Sequence, residues 1–298
     1  MKDFGRLITA MVTPFTGTDA VDYKEAVRLA NYLAAHGTQT ILLTGTTGES
    51  PTLTHDEEFE LFRIIRENLS RDTFLMAGTG SNCTKTAIVA TQKAERLGMD
   101  CSLQVVPYYN KPSQEGLYQH FKAIADATRL PIILYNIPGR TSRNMEPETI
   151  ARLSEIKNII GIKEAAGNAD QVAKIRSLTP SEFIIWSGDD ALTLDFMEKG
   201  AYGVISVAAH CAGLQIRDMI EKFASGQKEA ARKIEADLKA LFEVLFINTN
   251  PAPVKAALNM MGFNVGHTRL PLVDATSAEQ AKIHAVLEKT GILEQTPV

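Results

Sequence analysis

Eight short apolar runs at near-equal spacing are the feature of this sequence that most restricts its fold. Each run is rich in apolar and β-branched residues and too short for a buried helix, so each predicts a strand. The runs are Leu7–Val12, Thr40–Leu43, Phe74–Ala77, Ser102–Val106, Ile132–Tyr135, Ile159–Lys163, Phe183–Ser187 and Gly203–Ser206. Amphipathic stretches between them predict helices, including Tyr23–Ala35, His55–Leu69, Thr84–Leu97, Gln114–Ala127 and Ala169–Leu178. Strand alternating with helix predicts a parallel sheet.

The number of strand–helix units separates two folds that share this alternation. A doubly wound sheet and a closed barrel both fit, but eight similar units within roughly 225 residues favour an α/β fold of the (β/α)8 TIM-barrel type. After about Ala224 no further strand pattern occurs. Three helices are predicted there, at Gln227–Phe246, Pro253–Met261 and Ser277–Lys289. We therefore expect a catalytic barrel over residues 1–224, followed by a C-terminal helical region over residues 225–298.

Charge and cysteine content limit the classes of partner. The chain has 298 residues and a formal net charge of −4, without a basic stripe, so nucleic acid and anionic membranes are poor partners. Its three cysteines have neither metal-ligand nor redox spacing, which argues against a disulfide framework and for a reducing cytoplasm. The apolar stretch Leu7–Val12 is too brief for a secretion signal or a membrane span. A cytoplasmic enzyme that acts on small molecules is the expected class.

Lys163 closes the sixth predicted strand, where an ammonium is costly to bury. Burial disfavours the charged form, and a lysine whose pKa falls from about 10.4 to roughly 7–8 becomes a nucleophile near neutral pH. Such a lysine can form a Schiff base with a carbonyl substrate. The alternative is a lysine that reaches solvent or pairs with Glu164, which directly follows it. The other strand ends decide between the two, because catalytic groups of barrels lie there.

Tyr135 ends the fifth predicted strand, beside the strand that ends at Lys163. Adjacent parallel strands place their ends about 5 Å apart, so we expect the phenol and the amine to share one pocket. A tyrosine there can transfer a proton during addition to a carbonyl, and Arg140 on the following loop can clamp a carboxylate. Taken alone, the tyrosine could be a core aromatic and the arginine a surface base.

A hydroxyl-rich loop follows the second predicted strand, Gly45-Thr46-Thr47-Gly48-Glu49-Ser50. Its hydroxyls and backbone amides can hold a carboxylate, whereas the glutamate and the missing lysine argue against a polyphosphate. A tight loop that caps a helix is the alternative. The acidic segment Ser187-Gly188-Asp189-Asp190 argues against a phosphorylated substrate, since barrels commonly bind phosphate at that strand end. The six histidines show no metal-ligand spacing, so no metal site is predicted.

Several of these segments together carry a family resemblance. Gly45-Thr46-Thr47-Gly48-Glu49, Tyr135-Asn136-Ile137-Pro138 and Gly161-Ile162-Lys163-Glu164 resemble the pyruvate-dependent class I aldolases typified by N-acetylneuraminate lyase. With Arg140-Thr141 and Tyr108-Tyr109-Asn110-Lys111-Pro112, the chain is similar to the 4-hydroxy-tetrahydrodipicolinate synthase (dihydrodipicolinate synthase) family almost end to end. The resemblance implies a lyase that condenses pyruvate with L-aspartate 4-semialdehyde in lysine (diaminopimelate) biosynthesis. Neither a metal nor an organic cofactor is implied.

The resemblance also implies roles for individual residues. Lys163 forms the Schiff base with pyruvate. Tyr135 donates and accepts protons and is linked through Thr47 to Tyr109 of a neighbouring subunit. The remaining substrate contacts are Thr46 and Thr47 for the pyruvate carboxylate, Arg140 for the carboxylate of the semialdehyde, and the backbone of Gly188 and Ile205. A homotetramer built as a dimer of dimers is implied as well.

A regulatory site for lysine is implied only in part. The family positions that line it are matched by Ser50, His55, Asn82 and Tyr108. Glu58 and Thr86 stand where lysine-sensitive members of one bacterial group carry a histidine and a glutamate. Losing a carboxylate that meets the ligand's ammonium would cost about 1–3 kcal/mol. We therefore expect weak inhibition by lysine or none, unless Glu58 turns inward.

Two other functions fit parts of the pattern. A sugar-acid aldolase acting on N-acetylneuraminate or 2-keto-3-deoxygluconate would use the same lysine and tyrosine, but Arg140 and the paired threonines argue against it. A catalytically silent barrel that senses pyruvate or an amino acid would lack the lysine or the tyrosine. Lys255 is a competing amine, but it lies at a predicted helix start in the tail and not at a strand end.

Overall fold

The computed structural model describes residues 2–295, in which strands alternate with helices. The strands are β1 Leu7–Ala10, β2 Thr40–Leu43, β3 Phe74–Gly78, β4 Cys101–Val105, β5 Ile132–Asn136, β6 Ile159–Glu164, β7 Ile184–Ser187 and β8 Gly203–Ser206. They follow one another in chain order in a closed barrel, and their pairings are parallel. The predicted (β/α)8 TIM barrel is confirmed.

Helices fill the connections between strands and form the C-terminal tail. The α-helices are α1 Tyr23–Ala35, α2 His55–Asn68, α3 Thr84–Arg96, α4 Gln114–Asp126, α5 Pro138–Thr141, α6 Pro147–Ser154, α7 Ala169–Leu178, α8 Thr193–Glu198, α9 Ala209–Ala224, α10 Lys228–Val244, α11 Ala252–Met260 and α12 Ser277–Lys289. The predicted strands and helices are all present, with ends within about two residues of the prediction. Within residues 2–295, no helix combines the length and apolar character needed to cross a membrane.

Capping residues explain several of the helix starts. The Thr54 side chain accepts from the Glu57 amide while the Glu57 carboxylate accepts from the Thr54 amide, which is a capping box at the start of α2. Thr276 and Glu279 form the same box before α12. These pairs satisfy amides that would otherwise lack partners in the first helical turn, so the sequence fixes these boundaries locally.

The contacts divide the chain into two compact units. The first unit comprises Met1–Thr73 with Ser206–Val298, and the second comprises Phe74–Ile205. In the first unit α9 packs on β1 and α10, and α12 packs on α10 and α11. In the second unit β3 to β7 lie side by side, and α3, α4, α6 and α7 pack in chain order. The units change at residues 73/74 and 205/206, not at the expected boundary near residue 224. That boundary stays a prediction.

A register shift between β5 and β6 sets which side chains meet at the end of these strands. Ile132 pairs with Ile159, but Ile133 pairs with Gly161, so one residue of β6 is skipped. The shift places Tyr135 opposite Lys163, whereas an unshifted register would place it opposite Ile162. A Cβ on Gly161 would lie 2.4 Å from the Ile184 carbonyl oxygen, so glycine allows β7 to pair closely at this point.

Candidate active site

Lys163 is buried at the carboxyl end of β6, with 6% of its surface exposed. Burial lowers the pKa of its ammonium from 10.5 to about 8, while the negative charge of Asp190 raises that pKa and the positive charge of Arg140 lowers it. The predicted drop of this pKa toward neutrality is therefore confirmed. About a tenth of the amine is therefore unprotonated at pH 7, and the unprotonated amine is the state that attacks a carbonyl.

Tyr135 faces this amine from β5. Lys163 Nζ lies 4.5 Å from the centroid of the Tyr135 ring, and the two residues are register partners. The predicted proximity of phenol and amine is thus confirmed. The ring face attracts the ammonium only weakly compared with a carboxylate, so the tyrosine leaves the pKa of Lys163 low.

Glu164 does not pair with Lys163, because successive residues of a strand point to opposite faces. Its carboxylate accepts hydrogen bonds from Asn136 Nδ2 at 3.1 and 3.2 Å, from Gln171 Nε2 at 3.0 Å and from the Ala166 amide at 2.7 Å. Burial raises the pKa of Glu164, and the hydrogen bond from Asn136 lowers it. Neither alternative considered for Lys163, exposure to solvent or pairing with Glu164, is therefore correct.

Gly188 lies against the aliphatic part of Lys163. A Cβ on Gly188 would lie 3.1 Å from Lys163 Cε and 2.6 Å from Ala165 Cβ. The Gly188 amide donates to the Glu164 carbonyl at 2.7 Å, which fixes the backbone there. A side chain at position 188 would therefore overlap Ala165 and crowd Lys163. Ile205, in β8, is buried.

Arg140 and Asp190 both act on the pKa of Lys163, although only Arg140 was singled out as a substrate contact. Arg140 is exposed in the short helix α5. Asp190 is buried and begins a 3-10 helix, Asp190–Leu192, just after β7. In the sequence, the Asp189-Asp190 pair served only as an argument against a phosphorylated substrate. Its position at a strand end could have indicated that Asp190 acts on Lys163.

The Thr46–Thr47 loop lies in the first unit and has a strained backbone. Thr44 (φ 51°) and Glu49 (φ 55°), on either side of the two threonines, adopt left-handed conformations, which cost about 1–3 kcal/mol each. Thr47 is buried and its hydroxyl accepts from Asn250 Nδ2 at 2.9 Å. Thr46 is half-buried. Strain of this kind is concentrated at functional sites, in agreement with a substrate-holding loop.

Glu49 anchors this loop through a buried ion pair. Its Oε1 lies 2.6 Å from Lys255 Nζ, and its Oε2 accepts from the Arg269 amide at 2.9 Å. Lys255 also donates to the His267 carbonyl at 2.7 Å. Neither this pair nor the Asn250–Thr47 bond could be predicted from the sequence, because more than two hundred residues separate the partners.

The positions matched to a lysine site fall into two groups. In the first unit, Ser50 Oγ donates to Glu58 Oε1 at 2.7 Å, and His55 Nδ1 lies 3.0 Å from Glu58 Oε2. Glu58 is buried, and burial raises its pKa. In the second unit, Asn82 Nδ2 donates to the Tyr108 carbonyl at 3.3 Å. Weak inhibition by lysine was expected unless Glu58 turned inward. Glu58 does turn inward, because its carboxylate contacts Ser50 and His55 of the expected site.

Tyr109 is exposed, whereas the other predicted catalytic residues, Lys163, Tyr135 and Thr47, are buried. It is 90% exposed and has a left-handed backbone with φ 73°. Within residues 2–295, little of the chain covers this phenol. Tyrosine combines a large apolar surface with a polar hydroxyl, so it is suited to contact another protein chain.

A buried lysine at a barrel strand end, with a lowered pKa and a tyrosine over it, is the arrangement with which an enzyme of the (β/α)8 class can form a Schiff base with a carbonyl substrate. Comparison with known proteins narrows the class: a model of the dihydrodipicolinate synthetase family matches residues 3–290. This chain belongs to that family.

Individual relatives agree with the family over their full length. The 4-hydroxy-tetrahydrodipicolinate synthase of Cyanothece sp. is 54% identical over 98% of this chain and 100% of its own. The dihydrodipicolinate synthase of Cyanidioschyzon merolae, solved with lysine bound, is 49% identical, with a TM-score of 0.96 over 97% of this chain and 99% of its own. The chloride-inhibited enzyme of Acinetobacter baumannii, complexed with pyruvate, is 38% identical, with a TM-score of 0.95 over 97% of this chain and 100% of its own.

Proposed function

We propose that this chain carries out the reaction of its family through a Schiff base on Lys163. The reaction condenses pyruvate with L-aspartate 4-semialdehyde to 4-hydroxy-tetrahydrodipicolinate, in lysine (diaminopimelate) biosynthesis. The observation that carries the proposal is the buried amine of Lys163, with a pKa of about 8 and the Tyr135 ring 4.5 Å away. Relatives that match over their full length carry the name of this enzyme, not that of a sugar-acid aldolase or a sensor.

The chemistry follows from the properties of an imine. The neutral amine of Lys163 adds to C2 of pyruvate, and loss of water gives a protonated imine that withdraws electrons. The pyruvate methyl group then loses a proton, and the resulting enamine attacks the aldehyde carbon of the second substrate. The amino group of the condensed product attacks C2, closes the ring and releases Lys163 as the free amine.

Proton transfer in these steps is assigned to Tyr135. Its position beside Nζ lets it donate to the carbinolamine hydroxyl that leaves as water. Thr47 and Tyr109 complete the path, and Tyr109 is assigned to the site of a neighbouring subunit because it is so exposed in its own chain. This assignment requires at least a dimer, and we propose the homotetramer of the family, located in the cytoplasm.

The substrate carboxylates are assigned to separate groups. Thr46 and Thr47 hold the pyruvate carboxylate, and Arg140 binds the carboxylate of the semialdehyde, for which an exposed guanidinium beside the site is suited. The backbone of Gly188 and Ile205 lines the remaining wall. No metal ion or organic cofactor is part of the proposal.

Lysine is proposed as a regulatory ligand at Ser50, His55, Asn82 and Tyr108. Glu58 would supply the carboxylate for the ligand's ammonium, since it is buried and contacts Ser50 and His55. The relative from Cyanidioschyzon merolae, solved with lysine bound, supports this class of ligand.

Reduction with borohydride in the presence of pyruvate tests the central proposal. The expected result is one covalent adduct on the peptide that contains Lys163, and none in a Lys163→Met variant. An adduct on Lys255, or none at all, would show that the mechanism is wrong. Pyruvate release from N-acetylneuraminate or 2-keto-3-deoxygluconate, without consumption of the semialdehyde, would instead favour the sugar-acid aldolase.

A further inference from the structure

Asn250 links the C-terminal tail to the Thr46–Thr47 loop. It directly precedes Pro251 and α11, is 5% exposed, and donates from Nδ2 to Thr47 Oγ1 at 2.9 Å. The two residues are 203 positions apart, so this buried side-chain contact joins distant parts of the chain. None of the roles assigned above uses Asn250.

The contact determines what the Thr47 hydroxyl can do. A threonine hydroxyl has one hydrogen to donate and two lone pairs to accept with. The amide hydrogen of Asn250 occupies one lone pair, so the Thr47 hydrogen is left for another acceptor. A substrate carboxylate accepts hydrogen bonds and cannot donate them, and it therefore needs Thr47 in this donor orientation.

We infer that Asn250 is a positioning residue for pyruvate, which holds the Thr47 hydroxyl with its hydrogen available to the pyruvate carboxylate. The inference rests on the proposed role of Thr47 in the reaction. Asn250 Oδ1 is buried and lacks a hydrogen-bond partner within residues 2–295, and burying such an acceptor is costly. The amide is therefore poorly explained as scaffolding and well explained by its bond to Thr47.

The surrounding tail gives the contact its rigidity. Lys255, five residues after Asn250 and in the helix that follows it, forms an ion pair with the Glu49 side chain of the same loop. The tail thus contacts the loop in two places, the Glu49 carboxylate through Lys255 and the Thr47 hydroxyl through Asn250. An aspartate at position 250 would fit the same space but would accept the Thr47 hydrogen and repel the substrate carboxylate.

Kinetics of Asn250→Asp and Asn250→Ala test the inference. Loss of a hydrogen bond to a charged group corresponds to roughly tenfold to a hundredfold in affinity. We expect Asn250→Asp to raise the KM for pyruvate by about that factor and Asn250→Ala by less, while the KM for the semialdehyde changes less than about twofold. Asn259→Asp is the matched control, because it makes the same charge change in α11 and the Asn259 side chain bonds Gly266 and Val265, not Thr47, within residues 2–295.

A double-mutant cycle separates positioning from general stability. In a Thr47→Val background, Asn250→Ala should add little to the KM for pyruvate, because the hydroxyl it positions is gone. A wild-type KM in Asn250→Asp would overturn the inference, since it would mean that residue 250 accepts from Thr47. Equal losses for both substrates, with a lowered melting temperature, would also overturn it.

Borohydride trapping distinguishes failure of this inference from failure of the proposed function. Suppose that the wild-type protein traps pyruvate on Lys163 and that trapping in Asn250→Asp is half-maximal at the same pyruvate concentration as in the wild type. In that case only the inference is wrong. If the wild-type protein does not trap pyruvate on Lys163, the proposed function is wrong, and the inference falls with it.

Discussion

Removing the charge of Asp190 or of Arg140 should shift the titration of Lys163 in opposite directions. The negative charge of Asp190 raises the pKa of Lys163 and the positive charge of Arg140 lowers it. Asp190→Asn should therefore move the pKa of Lys163 downward, and Arg140→Ala should move it upward. Arg140→Lys keeps the charge and is the matched control.

The size of the effect follows from the pKa of about 8 in the wild-type protein. At pH 7 about one Lys163 in ten is unprotonated, against about one in three thousand for a lysine with a pKa near 10.5, which is a gain of roughly 300-fold in nucleophile. The rate of imine formation should rise about tenfold from pH 6 to pH 7 and level off above pH 8.

The pH dependence of kcat/KM for pyruvate measures this titration in the free enzyme. Its midpoint is compared among the variants, because Arg140→Ala also changes substrate binding and therefore the absolute rates. A wild-type midpoint above 10 would show that burial does not activate Lys163. Midpoints that move in the same direction in Asp190→Asn and Arg140→Ala would show that these two charges do not set the pKa of Lys163.

Four further predictions concern the other residues of the site. Arg140→Ala should raise the KM for the semialdehyde by roughly 10- to 100-fold, and an equal effect on the KM for pyruvate would contradict its role. Gly188→Ala should lower both kcat and the melting temperature, because its Cβ would lie 2.6 Å from Ala165 Cβ and 3.1 Å from Lys163 Cε; full borohydride trapping at the wild-type melting temperature would count against this. Tyr109→Phe should slow turnover without removing pyruvate binding and should recover some activity in mixed dimers with Lys163→Met, and demonstrably mixed dimers without such recovery would count against a shared site. Lysine should inhibit initial rates of the wild-type protein and inhibit Glu58→Gln roughly tenfold less, and equal inhibition of both would show that Glu58 does not bind it.

Local patterns were sufficient to predict the barrel and the pairing of Tyr135 with Lys163 at the carboxyl ends of β5 and β6. Short apolar runs and amphipathic stretches each reflect a contact with the core, and in a parallel barrel every strand end faces the same side. Tyr135 and Lys163 could therefore be paired from their positions at consecutive strand ends. The register shift that places them opposite each other could not be predicted, since it depends on how β5, β6 and β7 pack together.

Short or irregular helices were not predicted for a similar reason. α5 has 4 residues and α8 has 6, so neither contains enough turns for a periodic apolar pattern. α9 contains Ala212, whose backbone is not helical. Contacts such as Asn250–Thr47 and Lys255–Glu49 leave no local pattern at all, because each partner on its own is typical of a loop or a helix start.

Lys163 and Lys255 show why burial alone does not make an amine reactive. Burial lowers the pKa of both. Lys255 has Glu49 at 2.6 Å and the His267 carbonyl at 2.7 Å, so loss of its proton would leave a buried carboxylate unpaired, at a cost of about 3–5 kcal/mol. Lys163 forms no ion pair with any residue in the range 2–295, and it faces the Tyr135 ring and the more distant charges of Asp190 and Arg140. Its deprotonation breaks no direct ion pair within that range, so position 163 suits the nucleophile that we propose, whereas position 255 suits a structural cation.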